Sequence, residues 1–524
     1  MIRPRRKARP ARPFDGGAIE LREQDRDASR TAAAPDAPAW AASARGAVIV
    51  PALAALALGL WGLTRQGTLW RDESVTYQVA HRSLPEIVDL LGGADAVHGL
   101  HYLAMHALFG VWDGGLLTLR LPSAVAVAAA AGLVAATGLR LTGRPAVGLV
   151  AGLVFAVTPE VQMYAQEGRS YALVCALVAL ATWQFTGLGP DATPGRWFRY
   201  GAVVLTAALL HEFAVLALLA HGVALRFSPA AASRARRCFA VTAAAVTVAL
   251  APLAVLSAAQ SGQVSWISGP GAREWCEIAG FAALAVVCRW FLARRGGSAA
   301  AVGTPALALA LLPTAVLLSA AVHQPVYVDR YVLYSHIGLA LLVGAALVRA
   351  ADGAGRVVRG RAARAAAVGA AGLLCAPALL PVSAQMRTPD SRKDDVTAIA
   401  AEAARLSAGA DAVLFTPARR REWTLSYPGR LAGTADIALA ESPAASGTLQ
   451  GTEVAPGEIG RRLSRARVVV VLADPEGQPL DTTPAERVKR RVLARDFTVC
   501  ARTDLKGGRV TLYARTVCPP PAAD

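Results

Sequence analysis

Residues 46–64 read GAVIVPALAALALGLWGLT, and after a five-residue link the chain continues Trp70-Arg71-Asp72-Glu73. The first stretch carries no charge and matches the ~20 apolar residues that span a bilayer. Two carboxylates follow at its far end. Acids at a bilayer edge are costly to bury and well placed to meet a lipid headgroup. The pair therefore reads as the acidic centre of a membrane site.

Outward from this stretch, apolar runs recur through the first three quarters of the chain. Of its 524 residues 54% are hydrophobic and only 17% charged, against ~25% charged in soluble domains. Eleven spans are expected, at 46–64, 118–139, 145–159, 170–187, 200–211, 213–226, 239–257, 275–293, 302–321, 331–349 and 366–383. Alternate loops hold the arginines, among them Arg140, Arg144, Arg196, Arg199, Arg234, Arg294, Arg295 and Arg359. This asymmetry is the positive-inside pattern and puts the N-terminus in the cytoplasm. The net charge of +17 comes from these loops and not from a basic stripe on a folded domain, so no nucleic-acid partner is expected. The apolar part of segment 99–112 is too short for a span and reads, like Ser83–Leu91, as interfacial or re-entrant. If it crossed, every later arginine loop would face outward.

Residues 1–45 are polar and basic, with no apolar core or small-residue cleavage site, and read as a disordered cytoplasmic tail. The transmembrane domain covers 46–383. From 384 to 524 charge rises and the pattern becomes that of a small α/β domain. Helices are expected at Asp394–Ser407 and Pro484–Ala494, and strands at Asp411–Phe415 and Arg467–Leu472. A hairpin is expected around Lys506-Gly507-Gly508. An odd number of spans puts this domain outside the cell, in a structural or acceptor-handling role. Cys175, Cys238, Cys276, Cys288 and Cys375 lie in or beside apolar segments as packing residues. Cys500 and Cys518 are placed to pair if the domain is extracytoplasmic.

The outer membrane face then collects Arg71, Asp72, Glu73, His98, His101, Tyr102, Tyr164, Glu167, Arg169, Tyr171, His211, Tyr327, Arg330 and Tyr331. They come from separate segments. Such a set suits transfer of a sugar from a lipid phosphate to a hydroxyl. A carboxylate takes the acceptor's proton, with Asp72 the candidate base. Arginines hold the phosphate, with Arg330 and Arg169 the candidates. Glu73 would hold the acceptor, raise the proton affinity of Asp72 by like-charge repulsion, or help bind a metal. His211 would donate to the phosphate, and the tyrosines would line the pocket. Plainer readings compete. The two acids also suit a helix cap, Glu167 with Arg169 an interfacial ion pair, His211 a solvated turn, and Arg330 a headgroup anchor in an aromatic belt. His98 and His101 have the spacing of a metal pair on one helix face, without an evident third ligand.

The string Trp70-Arg71-Asp72-Glu73-Ser74-Val75-Thr76 resembles the first outer loop of GT-C superfamily membrane glycosyltransferases of the protein-mannosyltransferase and aminoarabinose-transferase type. His98-Gly99-Leu100-His101-Tyr102-Leu103, Leu119-Arg120-Leu121-Pro122-Ser123 and Tyr164-Ala165-Gln166-Glu167-Gly168-Arg169-Ser170-Tyr171 resemble later motifs of the family, in order. His211-Glu212-Phe213-Ala214 and Asp329-Arg330-Tyr331-Val332 resemble two more. The resemblance spans residues 46–350 and departs at Gly99, where the family commonly has proline. It implies an inverting transfer from a polyprenyl-phosphate sugar at the outer face of the plasma membrane, with Asp72 as base and Arg71 beside it. It implies mannose, as in actinobacterial relatives, although no residue here reads an axial hydroxyl. It leaves a divalent cation, Mg or Mn, open. The expected partners are the polyprenyl-phosphate donor, membrane lipids and a hydroxyl acceptor on a protein, lipoglycan or glycan. The competing functions are a lipid-linked saccharide flippase, which would need internal repeats or broken helices, and a non-catalytic cell-envelope assembly protein.

Overall fold

The computed structural model describes residues 39–519 apart from 190, 229–232, 265–266, 268, 323 and 355–378. The expected tail at 1–45 and the expected eleventh span lie almost entirely outside the described residues, and Cys375 lies there too. The described residues from Gly46 onward cluster as one compact unit.

Among the described residues six helices are long and apolar enough to cross a membrane: Ser43–Gly67, Leu116–Thr142, Ser233–Ala259, Ala272–Arg295, Ser298–Ala320 and Ser335–Gly353. Pro145–Val157 and Tyr171–Phe185 are shorter apolar helices. The expected spans 200–211 and 213–226 fall on the helices Pro194–Leu210 and Leu216–Arg226. The chain is a membrane protein. At ~1.5 Å per residue the Leu116–Thr142 helix is about 40 Å long, enough to cross and emerge at both faces. Its neighbours approach through small residues, because apolar burial gives no drive between helices already in lipid. A Cβ on Gly344 would lie 2.6 Å from the Ala151 backbone, so glycine sets the contact between Ser335–Ala354 and Pro145–Val157.

Three short helices follow or precede these spans: Arg71–Ala80, Leu84–Gly93 and Gly99–Val111. The longest would be about 20 Å, shorter than the ~30 Å hydrocarbon core.

The C-terminal region forms a five-stranded sheet. Its strands are β1 (Ala412–Thr416), β2 (Ala435–Asp436), β5 (Val468–Ala473), β6 (Thr498–Leu505) and β7 (Gly508–Ala514), in the order β2-β1-β5-β7-β6. The short strands β3 (Leu439–Glu441) and β4 (Thr452–Glu453) pair separately. β1 and β5 run parallel and β7 is antiparallel to β5. Central strands buried on both faces read as unbroken apolar runs, as the two central strands here do. Side chains alternate across the sheet. Val413, Phe415, Val470 and Leu472 meet the Val396–Ser407 helix on one side. Ala412, Leu414, Val469 and Val471 meet the Pro456–Arg465 and Pro484–Asp496 helices on the other.

The first of these cores does not close on itself. It includes Leu69, Ala80, Met105, Phe109 and Leu119 from the membrane part. The domain is therefore docked on the short helices. The Leu69 amide donates to Thr397 Oγ1 at 2.8 Å, and the Val396 amide donates to the Leu69 carbonyl at 3.0 Å. Cys500 and Cys518 are joined as a disulfide.

Candidate functional site

The Arg71–Ala80 helix begins at Trp70, whose side chain supplies no cap. The missing acceptor comes from the C-terminal domain, since the Arg71 amide donates to Asp394 Oδ1 at 2.7 Å. Asp72 and Glu73 therefore do not cap this helix, and both side chains are free for other work. Adjacent residues diverge by about 100° around a helix, so the two acids enter different surroundings.

Asp72 lines a cavity of about 930 Å³. Arg330 Nη2 stands 3.6 Å from its Oδ2, and Arg71 Nε stands 3.9 Å from its Oδ1. Arg169 holds the same turn from below, donating to the Asp72 carbonyl at 3.3 Å and to Thr76 Oγ1 at 3.2 Å. Burial pushes the Asp72 carboxyl up. Arg169, Arg330, Arg71 and Lys393 outweigh it and hold the group below its ordinary value. Asp72 is ionised at neutral pH, with its cations at ion-pair rather than hydrogen-bond distance.

Arg330 reaches the cavity from the Asp329–Val332 turn. Its Nε donates to the Tyr171 hydroxyl at 3.1 Å, and its guanidinium lies 5.6 Å and 5.7 Å from the Tyr171 and Tyr331 ring centres. Such rings favour the cation without neutralising it. Arg169 Nη2 lies 2.7 Å from His98 Nε2. A guanidinium only donates, so His98 accepts there and carries its proton on Nδ1. His98 Nδ1 and His211 Nδ1 are buried without a hydrogen-bond partner among the described residues, and both side chains line the cavity. Burial, with Arg169 adding, holds His98 well below its ordinary value. His98 is therefore a neutral imidazole that offers hydrogen bonds rather than charge.

Of the expected residues, Arg71, Asp72, His98, Arg169, Tyr171, His211, Arg330 and Tyr331 share this cavity. The others do not line it. Glu73 is fully buried. It accepts from Arg120 Nε at 2.7 Å and Arg120 Nη2 at 2.8 Å, from the Gly168 amide at 3.0 Å, and from Arg65. Burial pushes its carboxyl up, but Arg120 and Arg65 overcome this and hold it at about 2. Arg120 also donates to the Leu63 carbonyl at 2.9 Å and the Thr68 carbonyl at 2.5 Å. This corrects the expectation of Glu73 as a second site acid. Its oxygens are spent on a clamp that ties the end of the first span to Leu116–Thr142 and the 166–168 turn. Glu167 likewise faces Arg392 at 2.8 Å instead of the cavity. His101 contacts the Gly168 carbonyl at 3.3 Å, Tyr102 donates to Asp95 at 2.6 Å, and Tyr164 donates to Asp329 at 3.4 Å. Tyr327 packs against the helical core.

Among the described residues no three His, Cys, Asp or Glu side chains gather as a metal site. His98 and His101 have different partners, Arg169 and the Gly168 carbonyl. The guanidiniums around Asp72 would repel a divalent cation, so the residues here do not fit one.

Two charged lining residues, Arg419 and Glu422, come from the C-terminal domain and were not singled out in the sequence. They follow directly after β1, a parallel strand. Ligands of α/β folds gather at the carboxyl ends of such strands, and this was the available signal. Glu422 Oε1 lies 3.6 Å from the Arg71 guanidinium.

No family model matches the chain, and no curated protein matches it. Among solved structures, ArnT from Cupriavidus metallidurans in the apo state is similar. It is 13% identical with a TM-score of 0.54, covering 90% of this chain and 98% of that one. AglB from Archaeoglobus fulgidus, an archaeal oligosaccharyltransferase, gives 10% identity, a TM-score of 0.47 and coverage of 82% and 69%. With its apolar helices and docked C-terminal sheet, this chain has the fold of ArnT, the GT-C fold.

Proposed function

We propose that this chain is an inverting glycosyltransferase. It moves a sugar from a polyprenyl-phosphate donor to a hydroxyl acceptor at the outer face of the plasma membrane. The observation that carries the reading is the ionised Asp72 carboxylate with Arg330 3.6 Å away in one cavity. The family motifs in the sequence and the GT-C fold support it. The Cys500–Cys518 disulfide supports an extracytoplasmic C-terminal domain, since disulfides persist in oxidising compartments. Mannose is the sugar that the motif resemblance favours.

In this reaction the acceptor oxygen attacks the anomeric carbon as the bond from that carbon to the phosphate oxygen breaks. The electron pair leaves with the polyprenyl phosphate, and the acceptor's proton passes to Asp72. Negative charge grows on the departing phosphate. Arg330 and Arg169 offset it in this reading, and His98 and His211 offer further hydrogen bonds. Tyr171, Tyr331 and Phe213, which also line the cavity, form a wall suited to the first prenyl units.

The test is transfer from labelled polyprenyl-phosphate mannose into a membrane extract by the purified chain. Wild type is expected to transfer label. Asp72→Asn is expected to lose ~10²–10⁴ in rate while staying folded. Wild-type turnover in that variant removes Asp72 from the reaction.

A further inference from the structure

The cavity is built from two parts of the chain with different chemistry. The membrane part contributes arginines, imidazoles and aromatic rings. The C-terminal domain contributes Arg419, Glu422, Thr448, Leu449 and Gln450. Glu422 is buried in the cavity wall, with a side chain only 10% exposed. Among the described residues its carboxylate accepts no hydrogen bond, and its nearest cation is Arg71 at 3.6 Å. The same Arg71 Nε faces Asp72 at 3.9 Å, so one guanidinium stands between the two acids.

The position of this acid is fixed through its backbone. Ser74 Oγ, two residues from Asp72, donates to the Glu422 carbonyl at 3.3 Å and meets Ser426 Oγ at 2.7 Å. The loop carrying Gln450 is fixed as well. Arg421 donates to the Gln450 carbonyl at 2.9 Å and is itself held by Asp436 and by Glu453 at 3.1 Å. The Gln450 side chain has no hydrogen-bond partner among the described residues. A carboxyl in the wall and a half-buried amide, neither of them hydrogen-bonded among the described residues and both held through their backbones at one cavity, suit a ligand rich in donors and acceptors.

We propose that Glu422 and Gln450 form the acceptor subsite, so that the C-terminal domain supplies the second acid of the transfer site and the acceptor is a hydroxyl-rich saccharide. This rests on the glycosyltransferase reading. Burial pushes the Glu422 carboxyl up to about 7, with Arg71 and Arg420 opposing and Asp72 and Asp394 adding. At neutral pH it therefore both donates to and accepts from neighbouring hydroxyls, a versatility that the fully ionised Asp72 lacks.

The test uses the full chain in nanodiscs, with undecaprenyl monophosphate and a linear mannotetraose as separate binding probes. Glu422→Gln keeps the backbone carbonyl that holds Ser74. Gln450→Ala is the second variant, and melting temperature controls for folding. Mannotetraose is expected to bind wild type and to lose roughly tenfold or more in affinity in both variants. Undecaprenyl monophosphate is expected to stay within about twofold. The proposal is overturned if mannotetraose does not bind wild type, if both variants bind it as wild type does, or if both probes weaken together. A wild type that splits the probes as expected but transfers no label upholds the saccharide subsite and removes the glycosyltransferase reading. Transfer without the split removes the subsite alone.

Discussion

The two sides of the Arg71–Ala80 helix hold adjacent carboxylates under opposite constraints. On the inner side Glu73 accepts three hydrogen bonds of 3.0 Å or less and a further one from Arg65, with no exposure to solvent. On the cavity side Asp72 has cations only at 3.6 and 3.9 Å. A carboxylate whose oxygens are fully bonded is a poor base and a good anchor. One with cations nearby but no hydrogen bonds stays charged and open to a substrate. The same residue chemistry, one position apart, serves architecture on one face and reaction on the other. The clamp also fixes the rotation of the helix that carries Asp72, so the two roles are linked through the backbone.

Glu73→Gln breaks the comparison on its structural side. It leaves Arg120 and Arg65 buried without their counter-charge, which costs about 3–5 kcal/mol for a buried pair. A large fall in melting temperature and folded yield in detergent is expected. Glu73 has a lowered folded value, about 2 against an ordinary 4.5. Its contribution is therefore complete above the unfolded value and is lost as pH falls from about 4.5 towards 2. Acid melts of wild type should show this slope and Glu73→Gln should not.

Arg330→Ala sharpens the other side. It removes the guanidinium closest to Asp72, and a charge-assisted bond to phosphate is worth about 1.5–3 kcal/mol. Undecaprenyl monophosphate affinity should fall about 10- to 100-fold with melting little changed. An unchanged affinity would separate Arg330 from the phosphate. The smallest effect is expected for Asp394→Ala, which removes the cap on the helix at Arg71. A loss of about 1 kcal/mol should appear in melting, with donor affinity retained.

Much of this was legible in the sequence. Apolar run length pointed to the membrane helices, of which six among the described residues are long enough to cross where eleven spans are expected, and the Asp411–Phe415 and Arg467–Leu472 runs pointed to the central strands. Ionisable groups at span ends pointed to Asp72, Arg169, Arg330 and His211, because charge beside a bilayer needs a reason to be there. What local pattern did not carry was direction. Whether Asp72 or Glu73 faces the cavity depends on Arg120, 47 positions away, and Arg65, 8 away. Glu167 pairs with Arg392, from a segment beyond the spans. Glu422 enters the site only because the C-terminal domain docks through Leu69, Thr397 and Asp394. Interfaces between separated segments leave no periodic trace in either one.

The most direct measurement sets Asp72→Asn and Glu73→Gln side by side, each scored for both melting and sugar transfer. The account predicts that Asp72→Asn loses less stability than Glu73→Gln, because its cations stand at 3.6 and 3.9 Å without a hydrogen bond, and loses ~10²–10⁴ in turnover. It predicts that Glu73→Gln loses stability first, with its remaining folded fraction still able to turn over. Equal behaviour of the two variants on both scales, or wild-type turnover in Asp72→Asn, would contradict it.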